Sequence, residues 1–234
     1  MQTILDIGNT KVKLASFENR ELKQVDVFDD LLDAISVISD NESGRYASVR
    51  DLSEREIALL TDKGLRELDF QAELPIVIDY KTPETLGQDR IAGVIGARAL
   101  FSEEQILVVD AGTCITYDLL LGNRFSGGAI SPGIRIRARA MHQFTGKLPL
   151  AEVDQNAPVI GKSTQECLIS GAKWGAVLET EQRIKRLTMQ YPELICVITG
   201  GDATAFESMI KNSIFAVPNL VLYGLNEIAL YDIE

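Results

Sequence analysis

Two aspartates end apolar strands in this chain, and each is followed by a glycine-containing bend and an alternating strand. The first lies in Leu5-Asp6-Ile7-Gly8-Asn9-Thr10-Lys11-Val12-Lys13-Leu14. The second lies in Val109-Asp110-Ala111-Gly112-Thr113-Cys114-Ile115-Thr116-Tyr117-Asp118. With one residue inserted at Asn9, Thr10 aligns with Thr113, Val12 with Ile115 and Leu14 with Tyr117. Glycine at such a bend lets the backbone approach a bulky ligand. The exposed amides and the Thr hydroxyl then form a donor site for phosphate oxygens. A carboxylate beside phosphate needs a cation between them, so each Asp reads as a ligand of a metal or of its water. The same residue types also make ordinary hairpin turns, but their repetition at matched strand ends favours phosphate. A duplicated hairpin of this kind predicts two pseudo-symmetric lobes facing one polyanion.

The elements that position these residues follow from periodicity. Strands are expected over 3–7, 12–17, 25–28, 46–49 and 74–78, with helices over 31–39 and 86–100. Helical spacing runs over 52–68, with a break near Gly64, and Pro83 opens a turn. The small-residue face of 86–100 suits close packing against another element or a partner subunit. The second half restarts with strands over 106–109, 114–121 and 124–130 and a helix over 134–143. A long helix is expected over 164–189, with Ser163 or Thr164 near its N-cap. A buried strand over 194–198 leads through Thr199-Gly200-Gly201-Asp202 into a helix from about Ala203, and 220–231 forms the last helix. Hairpins followed by helices, twice, indicate α/β lobes, expected over 1–104 and 105–234.

Bulk properties exclude several classes. The 234 residues are 46% hydrophobic and 24% charged, an ordinary globular balance. A net charge of −11 without a Lys/Arg run argues against a general nucleic-acid surface. No apolar run approaches a membrane span. The first residues carry no charged region followed by an apolar one, so a cytoplasmic protein is expected. Cys114, Cys167 and Cys196 lack C-x-x-C spacing and are expected as small buried residues in a reducing compartment.

Taken together, the motifs resemble the type III pantothenate kinases of the actin-like ATPase superfold. The resemblance rests on Asp6-Ile7-Gly8-Asn9-Thr10-Lys11-Val12-Lys13, Gly87-Gln88-Asp89-Arg90 and Asp110-Ala111-Gly112-Thr113. It extends through Gly127-Gly128-Ala129-Ile130-Ser131-Pro132-Gly133, Gly161-Lys162-Ser163-Thr164 and Thr199-Gly200-Gly201-Asp202. It implies an α/β fold of two RNase H-like lobes, each a mixed sheet with helices, and ATP-dependent phosphorylation of pantothenate, the first step toward coenzyme A. It further implies that residues 6–13 (Asp6, Ile7, Gly8, Asn9, Thr10, Lys11, Val12 and Lys13) hold the ATP phosphates and that Thr113 contacts ATP. Asp110 would ligate a monovalent cation, potassium or ammonium, alongside the Mg2+ that accompanies ATP. Gly87, Gln88, Asp89 and Arg90 would bind pantothenate with Tyr80 and Thr164, and Asp89 would be the base. The resemblance also implies a homodimer with the acceptor pocket at its seam.

Individual residues admit plainer roles. A free Asp, with a pKa of about 3.9, cannot take an alcohol proton before reaction. Asp89 is therefore expected to aim the hydroxyl and accept its proton late, as a loose phosphoryl-transfer transition state allows. Asp89 with Arg90 would also suit a surface pair at a helix start. Lys11 and Lys13 share a strand face, where lysines also serve to discourage edge pairing; the family pattern favours Lys13. Gly200-Gly201 suits either backbone contact with adenosine or a tight turn. Arg135, Arg137 and Arg139 spread over more than one helix face; solvated positions are favoured, with contact of one of them to the pantothenate carboxylate or a partner chain as the alternative. His142 reads as a packing or interface residue, and Trp174 as core. Two rivals remain: a kinase of another small acceptor, and a non-catalytic regulatory relative of the accessory transcription factor type. The intact Asp6, Asp89 and Asp110 argue against the second.

Overall fold

The computed structural model describes residues 1–39, 44–153, 157–207 and 214–231. Its first strands are β1 (Gln2–Ile7), β2 (Val12–Glu18) and β3 (Glu21–Phe28), followed by α1 (Leu31–Ser36), β4 (Gly44–Ser48) and α2 (Glu54–Asp62). Then come β5 (Leu65–Glu67), β6 (Val77–Ile78), a single 3-10 turn at Pro83–Thr85, and α3 (Gln88–Leu100). The pattern restarts with β7 (Gln105–Ala111), β8 (Cys114–Leu121), β9 (Arg124–Pro132) and α4 (Ile134–Gln143). The chain continues with α5 (Thr164–Gln190), β10 (Ile195–Thr199), α6 (Thr204–Glu207), β11 (Ile214–Ala216) and α7 (Leu220–Tyr231).

Two compact units result. One comprises Met1–Ser102, Asn123–Ser126 and Asn219–Glu234; the other comprises Glu103–Gly122 and Gly127–Pro218. The first sheet has the order β3-β2-β1-β4-β5, and the second β11-β10-β7-β8-β9-β6. Strand for strand, β3-β2-β1-β4-β5 corresponds to β9-β8-β7-β10-β11. β1 pairs antiparallel with β2 and parallel with β4, as β7 does with β8 and β10. The duplication legible in the two aspartate hairpins thus extends over a whole sheet. Central β1 and β7 are buried along most of their length, which explains their continuous apolar runs.

In the first unit, Leu5, Ile7, Val12, Leu31, Ile35 and Leu60 form a common core. The small-residue face expected on α3 is covered by α7. A Cβ on Gly224 would lie 1.7 Å from the Ala92 carbonyl oxygen, and one on Gly96 would lie 2.3 Å from that of Leu220. The last described residues, 219–231, therefore pack with the first unit. The second unit is built around Val109, Ile115, Tyr117, Ile134, Ala176 and Ile198.

Several expectations change. The helical spacing over 52–68 divides: α2 ends at Asp62, and Leu65–Glu67 becomes a strand parallel to β4. Gly64, at φ 88°, turns the chain between them. The strand expected over 74–78 shrinks to Val77–Ile78, and the one at 25–28 lengthens to Glu21–Phe28. Cys114 and Cys167 are exposed and only Cys196 is buried, where desolvation pushes its thiol up to about 12. Trp174 is half-buried and donates from Nε1 to the Ala157 carbonyl at 3.2 Å. Among the described residues no helix is long and apolar enough to cross a membrane.

Candidate functional site

Within the first unit a cleft of about 780 Å³ is lined by Asn9, Arg50, Glu67, Gly87, Gln88 and Asp89, among others. Its chemistry gathers at the start of α3. Gly87 is the N-cap and offers no capping side chain, so the first amides of the helix keep donor capacity. Asp89, in the first turn, sits where the helix dipole favours a carboxylate. Its Oδ1 accepts from the Arg90 amide at 2.9 Å and folds back over Gly87, where a Cβ would stand 2.5 Å from it. Gln88 Oε1 is buried with no hydrogen-bond partner among the described residues. An orphaned acceptor in a cleft wall is costly unless a ligand donates to it.

Arg90 is 7% exposed. Its guanidinium carbon lies 5.9 Å from the Tyr80 ring centroid and 5.8 Å from that of Phe125. The two rings meet edge to face at 6.0 Å. The structure therefore gathers Tyr80 with Arg90, and Asn9 with Gly87, Gln88 and Asp89.

The first aspartate turn belongs to the same unit. Asp6 stands across the ladder from Lys13, and the Gly8 amide closes the bend on the Lys11 carbonyl at 3.0 Å. Desolvation pushes the Asp6 carboxyl up to about 6; Lys13 pulls it down and the charge of Asp89 raises it. A desolvated carboxylate that feels the charge of a second one fits a cation or its bound water. Lys13 is half-buried, and its Nζ donates to Asn219 Oδ1 at 3.1 Å. Lys11 does not share its setting: it lies one residue before β2, exposed, and pairs with Asp29.

In the second unit the corresponding turn is wedged between backbones. Gly112 donates to the Cys114 carbonyl at 2.9 Å, closing a bend one residue shorter than the first. Gly133 donates to the Thr113 carbonyl at 3.0 Å, and Asp202 donates to the Ala111 carbonyl at 2.9 Å. A Cβ on Gly133 would lie 2.2 Å from the Gly112 oxygen; one on Gly200 would lie 2.4 Å from both the Ala111 oxygen and Asp110 Oδ1. Gly200 also needs glycine for its φ of 95°. Thr113 is exposed at the bend, free to meet a ligand. Among the described residues no three His, Cys, Asp or Glu side chains group as a metal cage.

Thr164 is exposed at the first position of α5, behind the Ser163 cap that accepts the Glu166 amide at 3.2 Å. His142 is exposed, its Nδ1 2.7 Å from the Leu148 carbonyl oxygen. Arg135 is exposed and lies 3.6 Å from Asp202; Arg139 is exposed. Arg137 departs from the solvated role expected of it, since its side chain is only 22% exposed and pairs with Glu179. No local signal marks that pair, because its members lie far apart in the chain.

Comparison with known proteins gives the family. The family model for type III pantothenate kinase matches residues 3–186. A type III pantothenate kinase of Bacteroides fragilis is 42% identical over 241 aligned residues, covering 99% of this chain and 98% of that protein. One from Cytophaga hutchinsonii is 36% identical, covering all of both. Among solved structures, a Campylobacter jejuni protein assigned to the Baf family of transcriptional activators superposes with a TM-score of 0.65 at 20% identity, covering 99% and 98% of the two chains. A ROK hexokinase from Thermus thermophilus gives 0.52 at 14% identity, covering 99% of each. These two likenesses establish the two-lobed actin-like fold and nothing finer.

Proposed function

Because the chain belongs to the type III pantothenate kinase family, we propose that it transfers the γ-phosphoryl group of ATP to the primary hydroxyl of pantothenate. ATP and a divalent metal are the expected cofactors of such a kinase; when bound, the metal neutralises charge developing on the transferring phosphate. The observation that carries the acceptor assignment is the start of α3, where Asp89 and the orphaned Gln88 Oε1 share one cleft.

In this reading the acceptor lies along Gly87, Gln88, Asp89 and Arg90, with Tyr80 and Thr164 as further contacts. A ligand hydroxyl or amide supplies the missing donor to Gln88. Asp89 accepts a hydrogen bond from the acceptor hydroxyl and aims its oxygen at the γ-phosphorus. As the new P–O bond forms and the bond to the ADP oxygen breaks, the hydroxyl proton passes to the Asp89 carboxylate. Little basicity is needed, because the nucleophile in a loose transition state must be oriented more than activated. Residues 6–13 hold the ATP phosphates, with Lys13 as the favoured lysine, and Thr113 contacts the nucleotide. Asp110 serves a monovalent cation, potassium or ammonium. The protein works as a cytoplasmic homodimer.

The deciding experiment measures phosphate transfer to pantothenate by the purified protein with Mg2+, in potassium and then in sodium buffer. Turnover in potassium that falls in sodium supports the acceptor and the cation together. A folded protein inactive in both buffers overturns the assignment.

A further inference from the structure

Behind the second aspartate turn lies a cluster that the proposed chemistry does not use. Arg137, on α4, donates from Nε to the Pro132 carbonyl at 2.8 Å and from Nη2 to Ser131 Oγ at 2.8 Å. The same Nη2 donates to Glu179 Oε2, which also accepts from Ser131 Oγ at 3.0 Å. The other oxygen of Glu179 accepts from Arg183 Nε at 3.1 Å, and the Arg183 guanidinium lies 4.8 Å from the Tyr117 ring centroid. Tyr117 is fixed in turn by its hydroxyl, 2.8 Å from Thr180 Oγ1.

Two arms therefore run from one carboxylate. Through Arg137, Glu179 holds residues 131–133 at the end of β9, whose Gly133 amide donates to the Thr113 carbonyl. Through Arg183, it braces Tyr117 on β8, the strand that leaves the same turn. Burial works against the Glu179 charge, but hydrogen bonds from Arg137, Ser131 and Arg183 outweigh it and hold the carboxyl below its usual range. Glu179 stays ionised near neutral pH and keeps both arms engaged. Gly133 lies close against Thr113: besides the 3.0 Å hydrogen bond, a Cβ there would lie 2.5 Å from the Thr113 oxygen.

We propose that Glu179 and Arg137 are positioning residues for the nucleotide, setting through Ser131, Pro132 and Gly133 the placement of the Thr113 turn. The proposal rests on the assignment of Thr113 to ATP. The planar Arg fork is required, because it serves a carbonyl, a hydroxyl and a carboxylate at once, which an ammonium cannot do in that geometry.

The test uses the full-length variants Arg137→Lys, Glu179→Gln and Ser131→Ala. For each, KM for ATP, KM for pantothenate and kcat are measured, with the affinity for a non-hydrolysable ATP analogue by calorimetry and Tm as a control. Arg137→Lys and Glu179→Gln are expected to raise KM for ATP, and to weaken analogue binding, by on the order of 10-fold, with KM for pantothenate within about twofold of wild type. Ser131→Ala, which keeps the ion pair, is expected to give a smaller shift of the same kind and stands in if either charged variant fails to fold. Unchanged analogue affinity in folded variants overturns the proposal, even if Tm falls, since a merely structural cluster lowers Tm without selecting the nucleotide. Wild type that binds the analogue but does not phosphorylate pantothenate overturns the acceptor assignment alone, and analogue affinity still judges this one. Wild type that does not bind the analogue overturns both.

Discussion

At the end of β1, Asp6 faces Lys13 across the ladder; at the end of β7, Asp110 faces Thr116. The backbone route is nearly the same, differing by the one residue inserted at Asn9. What surrounds it differs. The first turn is governed by charge: desolvation, Lys13 and Asp89 compete over the Asp6 carboxyl. The second is governed by contact, with Gly133 and Gly200 pressed against the carbonyls of 111–113 and against Asp110. Duplication thus preserved the hairpin while the two copies took different physical burdens. One copy should respond to pH and charge substitutions, the other to added volume.

The largest effect is expected at Asp89. Asp89→Asn should cut kcat at least about 100-fold, the lower range for a group that accepts a proton in the transition state, with little loss of fold. Full activity in that variant would remove Asp89 from the chemistry.

Asp6→Asn tests the charge-governed turn through stability. A folded pKa of about 6 against 3.8 means the stability linked to Asp6 is fully present below pH 3.8 and lost as pH rises through about 6. At pH 8 the buried charge then costs at most about 3 kcal/mol. Asp6→Asn should unfold at higher denaturant than wild type at pH 8 and converge with it near pH 4, while losing activity. An equal gain at both pH values would contradict the desolvation account.

The contact-governed turn is probed by volume. Gly133→Ala drives a Cβ to 2.2 Å from the Gly112 oxygen, whereas Gly8→Ala brings one to 2.9 Å from the Lys11 oxygen. Overpacking at Gly133 should cost about 1–3 kcal/mol, and the cost at Gly8 should be smaller. Matched losses in a urea titration would erase the contrast between the turns. The smallest effect is expected at Lys11→Ala. Lys11 and Asp29 are exposed, at 50% and 84%, so their pair should contribute less than about 1 kcal/mol, falling with salt.

Much of this was legible in the residues. The helices at Ile134–Gln143 and Leu220–Tyr231 have the bounds expected from periodicity, and both aspartate hairpins form in the aligned register. Local patterns carry local structure, so these succeed. Leu65–Glu67 escaped because its only reason to be a strand is β4, distant in sequence. The cysteines escaped because composition gives residue types and not depth: Cys114 is exposed at the start of β8 and Cys167 is exposed in the first turn of α5. Arg137 looked like one of three solvated arginines until Glu179, on another helix, lay against it.

The sequence by itself determined the duplicated hairpins, the glycines that bend them, the Asp89 helix start and, through many weak motifs in order, the family. Tertiary structure alone decided that α7 seals α3, that burial pushes the Asp6 carboxyl up and that Glu179 ties two arms behind the Thr113 turn. The reason is physical. Turn and helix signals are written in neighbouring residues, whereas desolvation and buried ion pairs depend on groups that only folding brings together.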